Sequence, residues 1–392
     1  MNQNWTIYFA GRAIFSSEDR KYKPICPGML EKLNKLNINL AIVTHDTALK
    51  QNLKGTFNKN NVKIKVYGRS ELRDLFKNGN LSNRNSIFVG PSDDDLRLSA
   101  SKKLLFINPG WVDYNDDLAN KYGIKIESIP QLIKMLSILL NQQSWFYSLE
   151  ISNKAKLISL VSANSLSYKV SSKEKDVLKN FREVLKNGKT FYRDALTFHL
   201  LSGMMQQEEL YDIDIWAAMP SSGFESSEIL NDLKDRCRYL TGKRMTEPLL
   251  IRYKRIAKSH EMERNERLEL GARRLFDSVK VNPHYKRKLK GKTICVIDDY
   301  VTSGATTEMA RNLLEKAGVK KIIFVTIGRY ISRDGRNYQS EEYSINGDVF
   351  EEDYTVERTK IDTYFGKNAE INDSAKDEVK KIYDILNGSG DE

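Results

Sequence analysis

From residue 6 onward, short runs rich in β-branched and aromatic residues alternate with stretches whose apolar residues recur at helical spacing. Strands separated by helices need crossover connections, so this pattern predicts parallel sheets covered by helices. In the first half the runs at 6–9, 39–43, 64–67, 86–89 and 104–107 read as strands, and 28–36 reads as a helix. A further strand over 124–129 leads into a helix over 131–140, its start marked by Pro130. The second half continues in the same style, with a helix over 174–185 ending at Gly188 and a strand over 212–218. A helix over 226–240, closed by Gly242, carries Ile229, Leu230, Leu233, Cys237 and Leu240 on one face. A buried strand over 293–297, a helix over 306–317 stopped by Gly318 and a strand over 322–327 follow. Beyond Arg329 the chain turns polar, and a helix over 374–386 ends it.

The expected fold class is α/β: two doubly wound, Rossmann-like parallel-sheet domains with a helical C-terminal tail. The polar break at 141–144 separates a domain over 1–143 from one over 144–345, and 346–392 is expected as a C-terminal extension. A length of 392 residues fits two domains. With 40% apolar and 29% charged residues, and only 8 Pro and 22 Gly, collagen-like, mucin-like and wholly disordered chains are excluded. Cys26, Cys237 and Cys295 are too few and too scattered for a disulfide framework or a four-thiolate zinc site. The opening residues lack the pattern of a secretory signal, and the longest apolar stretch, 132–140, is far short of a membrane span. The expectation is a soluble, cytoplasmic protein of a reducing compartment, with no membrane partner.

Sixty-three Lys and Arg against 52 Asp and Glu give a formal charge of +11. Such a surplus attracts polyanions, either nucleic acid or phosphorylated small molecules. It is concentrated between residues 252 and 292, where 14 cationic side chains face only Glu261, Glu263, Glu266, Glu269 and Asp277. A solvated basic surface and a polyanion site both fit that run. No zinc-finger spacing, homeodomain pattern or aromatic RNA-binding motif accompanies it.

The most informative stretch runs from Val296 to Thr307, VIDDYVTSGATT. An apolar strand ends in two acids, and a loop of small and hydroxyl residues then opens a helix. Such a loop presents free backbone N–H groups and the positive end of a helix dipole, which together cradle phosphate. Gly304 allows close approach and a positive φ. Asp298 and Asp299 would repel phosphate and suit ribose hydroxyls or a magnesium shell beside it. This run resembles the type I phosphoribosyltransferases, whose hallmark is an apolar strand, two acids, two variable residues and then Thr-Thr/Ser-Gly-Ala-Thr. The resemblance implies that Asp298 and Asp299 hold the ribose hydroxyls of phosphoribosyl pyrophosphate (PRPP). It implies that Thr302, Ser303, Gly304, Ala305 and Thr306 hold the 5-phosphate, with Mg²⁺ arriving through PRPP and no direct protein metal site.

Upstream, Pro220, Ser221, Ser222 and Gly223 follow a strand, where that family keeps its pyrophosphate loop. The spacing from Gly223-Phe224 to Thr306 is similar to the ComF-type branch, which follows the loop with a basic segment. Ser259 stands where the branch has Gln, Leu270 near its usual Asn, and its N-terminal cysteine zinc site is missing. The resemblance covers about residues 165–330. It makes Arg255, Lys258 and Arg264 the expected cations for the leaving pyrophosphate in a displacement through an oxocarbenium-like state.

Residues 5–140 resemble the haloacid dehalogenase (HAD) superfamily in degenerate form. Thr44, ending the second strand, matches its phosphate-binding Ser/Thr, Asp94 or Asp95 matches its late acidic pair, and Lys65 or Lys77 its lysine. Active members carry Asp-x-Asp after the first strand, and here Ala10 and Arg12 occupy those places. Alanine cannot form an aspartyl-phosphate, so the resemblance implies a phosphatase-dead half. Arg12 is either a substitute for the metal's charge, leaving a phosphate sensor or partner-docking surface, or a solvated relic.

Two functions follow as expectations. One is a PRPP-dependent transferase acting on a phosphorylated sugar or nucleotide. The other is a non-catalytic PRPP- or nucleotide-sensing, or nucleic-acid-associated, subunit. A fused pseudo-phosphatase and transferase is also similar to bacterial stress and phage-defence (retron-type) effectors held by a partner. Nucleic acid, a protein partner and a homo-oligomer all stay open.

Overall fold

The computed structural model describes residues 5–18, 21–24, 28, 32–33, 38–59, 64–142, 145–164, 193–207, 212–223, 227–244, 247–256, 263–331 and 337–388. Most of the expected helix over 28–36, and all of that over 174–185, fall outside them.

The first sheet is built from β1 (Thr6–Ala10), β4 (Asn39–Thr44), β5 (Lys65–Gly68), β6 (Ser86–Val89), β7 (Leu105–Pro109) and β8 (Ile124–Ile126). A small hairpin of β2 (Phe15–Glu18) and β3 (Lys21–Pro24) follows β1. All six sheet strands are parallel, in the order β5-β4-β1-β6-β7-β8. Ile7, Phe9, Ile42, Ile87, Phe88, Val89, Phe106 and Ile107 are fully buried, as expected of strands covered on both faces. β8 is shorter than expected, because the helix starts early at Ile129–Leu140: Ser128 accepts a hydrogen bond from the Gln131 amide and caps it ahead of Pro130.

The second sheet is mixed rather than purely parallel. It contains β9 (Tyr147–Glu150), β10 (Ala155–Ser162), β11 (Ile215–Ala218), β14 (Thr293–Val301), β15 (Lys321–Arg329) and β18 (Glu370–Ile371). The order is β11-β14-β15-β10-β9-β18, with β11, β14, β15 and β10 parallel, β9 antiparallel to β10, and β18 antiparallel to β9. Two small ribbons complete this half, β12 (Leu250–Arg252) with β13 (Val279–Val281) and β16 (Ser340–Asn346) with β17 (Thr355–Asp362). The polar stretch beyond Arg329 thus carries strands as well as the expected closing helix, which forms as Asp373–Lys376 and Glu378–Leu386.

The halves are tied through helix Arg193–Gln206, which is buried from Ala195 to Met205. Its His199 meets Glu378 of the closing helix (3.0 Å), and Arg84 of the first half donates to the Gln206 carbonyl (3.2 Å). Tyr122 and Tyr239 stack across the same junction, 4.2 Å apart and 5° from parallel. No helix among the described residues is long and apolar enough to cross a membrane.

Candidate functional site

In an open parallel sheet, ligands bind beyond the carboxyl ends of the strands. At that edge of the second sheet, β11 and β14 lie side by side, with Ala218 opposite Ile297. β14 runs four residues past its expected end at Ile297. Asp298 stays in register with Thr326, and Val301 with Arg329, so both acids project from the strand rather than from the loop.

Past Val301 the chain turns through Thr302, Ser303 and Gly304 into helix Ala305–Lys316. Gly304 sits at the N-cap with φ +86°, in the left-handed region, and no side chain caps the helix. The first-turn amides therefore have neither an intrahelical acceptor nor a cap, and they are available to an anion. The loop is held from behind. Arg329 donates to the Thr302 carbonyl, the Gln339 amide to that of Ser303 (2.9 Å) and the Tyr330 amide to that of Val301 (3.0 Å). Arg329 is itself buried, 4.8 Å from the Tyr147 ring centroid, and bonded to Asn337 Oδ1 (3.0 Å). Burial lowers its pKa from the usual guanidinium value.

A cleft of about 490 Å³ opens over this loop. Asp298, Asp299 and all of Thr302 to Thr306 line it, and so do Pro220, Ser221 and Ser222 from the opposite wall. Gly223 lies next to that wall, its carbonyl accepting from Ser221 Oγ (3.3 Å). The two loops, about 80 residues apart in sequence, thus face one space. Asp298 has its carboxyl pushed well above the ordinary value, first by burial and then by the charge of Asp299. A carboxyl in this state gains from any cation brought to it.

Among the described residues, the cations at the cleft do not include the expected Arg255. Arg252 and Arg274 line the cleft. Arg252 is buried; it donates to the Ser221 carbonyl and to Ser278 Oγ (2.7 Å), so it also braces the opposite loop. Burial, with the Arg274 charge, lowers its pKa to about 10, which leaves it cationic at neutral pH. Arg255 is exposed and does not line the cleft, although its neighbour Ile256 does. Lys258 and the side chain of Arg264 lie outside the described residues. Nothing in a basic run marks which member ends a strand that enters the core, so the sequence alone does not single out Arg252 from its basic segment. Tyr300 and Tyr330 also line the cleft, ring centroids 5.5 Å apart.

The carboxyl edge of the first sheet collects the other expected residues and spends them structurally. Ala10 is buried at the end of β1, and Arg12 is exposed on the short helix after it. Thr44 is buried at the end of β4, its Oγ1 accepting from the Asp46 amide (3.0 Å). Asp95 is 1% exposed and is bonded by Arg69, by Ser92 Oγ (2.7 Å) and by the Ser92 amide (3.2 Å). Burial pushes its carboxyl up, and Arg69 pulls it back. Asp94 is exposed beside Arg97 (3.3 Å) and Arg69 (3.5 Å). The cation facing this acidic pair is therefore Arg69, and neither Lys65 nor Lys77. Arg69 begins the helix after β5, at the carboxyl edge, whereas Lys65 starts the strand and Lys77 ends the helix.

Among the described residues no group of three His, Cys, Asp or Glu could hold a metal ion. No protein-family model matches the chain, and no curated protein matches it in sequence.

Proposed function

We propose that the cleft beyond β11 and β14 binds PRPP with Mg²⁺, and that the protein is a ComF-like phosphoribosyltransferase that transfers or cleaves a ribose 5-phosphate unit. The observation that carries this reading is the uncapped helix opening at Gly304, which shares one cleft with Asp298, Asp299 and the Pro220–Ser222 wall. Each part of the ligand has a complementary group. The amides and hydroxyls of Thr302 to Thr306 take the 5-phosphate, and Asp298 with Asp299 takes the ribose hydroxyls. Magnesium, arriving on the pyrophosphate, supplies charge neutralisation for the leaving group. Arg252 and Arg274 add fixed positive charge on the pyrophosphate side. The Tyr300–Tyr330 pair offers a planar acceptor or base an aromatic surface.

The enzyme's task is then positioning. The bond from C1 of the ribose to pyrophosphate breaks as an acceptor atom attacks, or the reverse occurs with a nucleotide and pyrophosphate. On this reading the first half is HAD-like and without phosphatase turnover, because Ala10 stands where a nucleophilic carboxylate is needed. That feature also supports the second reading, a PRPP- or nucleotide-sensing subunit without turnover.

Calorimetry with PRPP and Mg²⁺ tests the cradle, and Asp298→Asn with Asp299→Asn should abolish the heat. Incubating PRPP with a panel of nucleobases and nucleotides, and reading pyrophosphate by mass spectrometry, separates the two readings. PRPP binding without pyrophosphate release from any acceptor selects the sensor. Absence of binding to PRPP and to every nucleotide of the panel removes both.

A further inference from the structure

The basic run that looks continuous in sequence is divided by the fold. Arg252 and Arg274 face the cleft at the carboxyl edge of the second sheet. Residues 286–292 instead lead into the amino end of β14, whose nine residues place them about 26 Å from the phosphate-binding loop at ~3.3 Å per residue.

At that amino edge three loops meet through their backbones. The Lys320 amide donates to the Lys292 carbonyl (2.9 Å), the Gly291 amide to Gly318 (3.3 Å) and the Ile322 amide to Lys154 (2.7 Å). The loops carry Lys154, Arg287, Lys288, Lys290, Lys292, Lys316 and Lys320, all exposed. Nearby acids are already engaged: Asp214 with Lys292 (3.4 Å), Glu315 with Arg311 (3.3 Å), and Asp348 with Lys286 (2.7 Å). Lys288 meets His284 (3.3 Å). Lys154, Arg287, Lys290, Lys316 and Lys320 have no carboxylate partner among the described residues. Arg287 holds φ +67°, a conformation that an ordinary side chain rarely adopts and glycine tolerates freely.

We propose that this amino edge is a second, independent site that binds the phosphate backbone of nucleic acid without reading its sequence. Three observations favour that partner. The cations precede the amino ends of the adjacent strands β14, β15 and β10, strands about 4.8 Å apart, so the charge runs across the edge as a band that suits a linear chain of phosphates. The exposed large apolar side chains of the described residues, Tyr114, Leu270, Ile361, Tyr364 and Ile371, all lie outside these loops. Among the described residues the edge therefore lacks both the apolar core of a protein interface and the apolar anchor of a membrane-bound surface. The described residues there offer no aromatic platform for stacking bases either, so recognition rests on charge.

The test is fluorescence anisotropy of the full chain with short labelled DNA and RNA of scrambled sequence, across a salt series. Five phosphate contacts on duplex DNA predict a slope of log affinity against log salt near −4.5, from about −0.9 per contact. The variant Arg287→Ser, Lys290→Ser, Lys316→Ser, Lys320→Ser should flatten that slope by about 3–4 and weaken low-salt binding by tenfold or more. Its thermal midpoint and PRPP calorimetry should match the parent. Asp298→Asn with Asp299→Asn should leave oligonucleotide binding intact, which keeps this site distinguishable from the cleft. No binding at low salt, an unchanged slope in the fourfold variant, or tighter binding to phosphatidylserine vesicles than to oligonucleotide would overturn the proposal.

Discussion

Replacing Gly304 by alanine tests the fold and the site together. The residue sits at φ +86°, and a Cβ built there would lie 2.7 Å from Tyr338 Cζ and closer still to Cε2. Real Cβ atoms essentially never come within 3.0 Å of a neighbour, so either the loop or the ring must move. The ring has little freedom. Tyr338 is fully buried, and its hydroxyl donates to Glu308 Oε1 (2.5 Å). Glu308 is in turn bonded by Arg311 (2.7 Å) and by the Glu341 amide (3.0 Å). The left-handed backbone costs an alanine about 1–2 kcal/mol, and overpacking against a fixed ring costs a further ~1–3 kcal/mol. Gly304→Ala should therefore lose roughly 2–5 kcal/mol in urea denaturation, and PRPP binding should fall by at least tenfold as the first-turn amides shift. Paired measurement with Gly223→Ala supplies a contrast, because a Cβ at Gly223 meets nothing within 4 Å. If Gly304→Ala matches the parent in both stability and PRPP heat, the left-handed turn and the fixed ring are both wrong.

Other outcomes follow from the same contacts. Asp298 has a raised pKa in the folded chain, so the native state holds more protons than the unfolded one above the ordinary carboxylate range, and stability falls as pH rises through that window. Asp298→Asn should flatten this dependence and raise the thermal midpoint at neutral pH while weakening PRPP binding, as read by thermal scans and calorimetry. Arg252→Met should reduce PRPP affinity more than Arg255→Met, since only the former lines the cleft and braces Ser221; equal effects would put the working cation elsewhere. Arg69→Met leaves Asp95 buried without its guanidinium and should cost about 3 kcal/mol in denaturation, whereas Lys65→Ala and Lys77→Ala should stay within ~0.5 kcal/mol. Truncating Glu378 to alanine strands His199 in the core and should cost ~1–3 kcal/mol.

Much of the fold was legible in the chain, for reasons that particular residues make plain. The four inner strands of the first sheet stand out because each is a run of mostly apolar, buried residues, and the edge strands β5 and β8 keep a shorter apolar core beside an exposed lysine. Helix Glu228–Leu240 was visible because one face is wet and the other dry, and Leu230, Leu233, Cys237 and Leu240 are buried. Helix Arg193–Gln206 carried no such signal. It is enclosed from Ala195 to Met205, so polar Thr197, His199 and Ser202 fall among the buried positions and blur the period. The ribbons β12–β13 and β16–β17 were equally silent: the three-residue strands of the first pair across 26 intervening residues, and the second pair closes through an eight-residue loop rather than a recognisable two-residue turn.

The run from Val296 to Thr307 by itself determined a strand, an acidic pair, a glycine turn and a helix, because each of those features is set by neighbours within a few positions. That Arg252 lines the cleft and Arg255 does not was decided only by tertiary structure. Arg252 and Arg287 are chemically alike and belong to one basic stretch, yet one ends a strand beside the cleft and the other heads toward the far edge of the sheet. Their separation depends on where β12 and β14 dock, and long-range strand pairing is energy that no local pattern in the chain encodes.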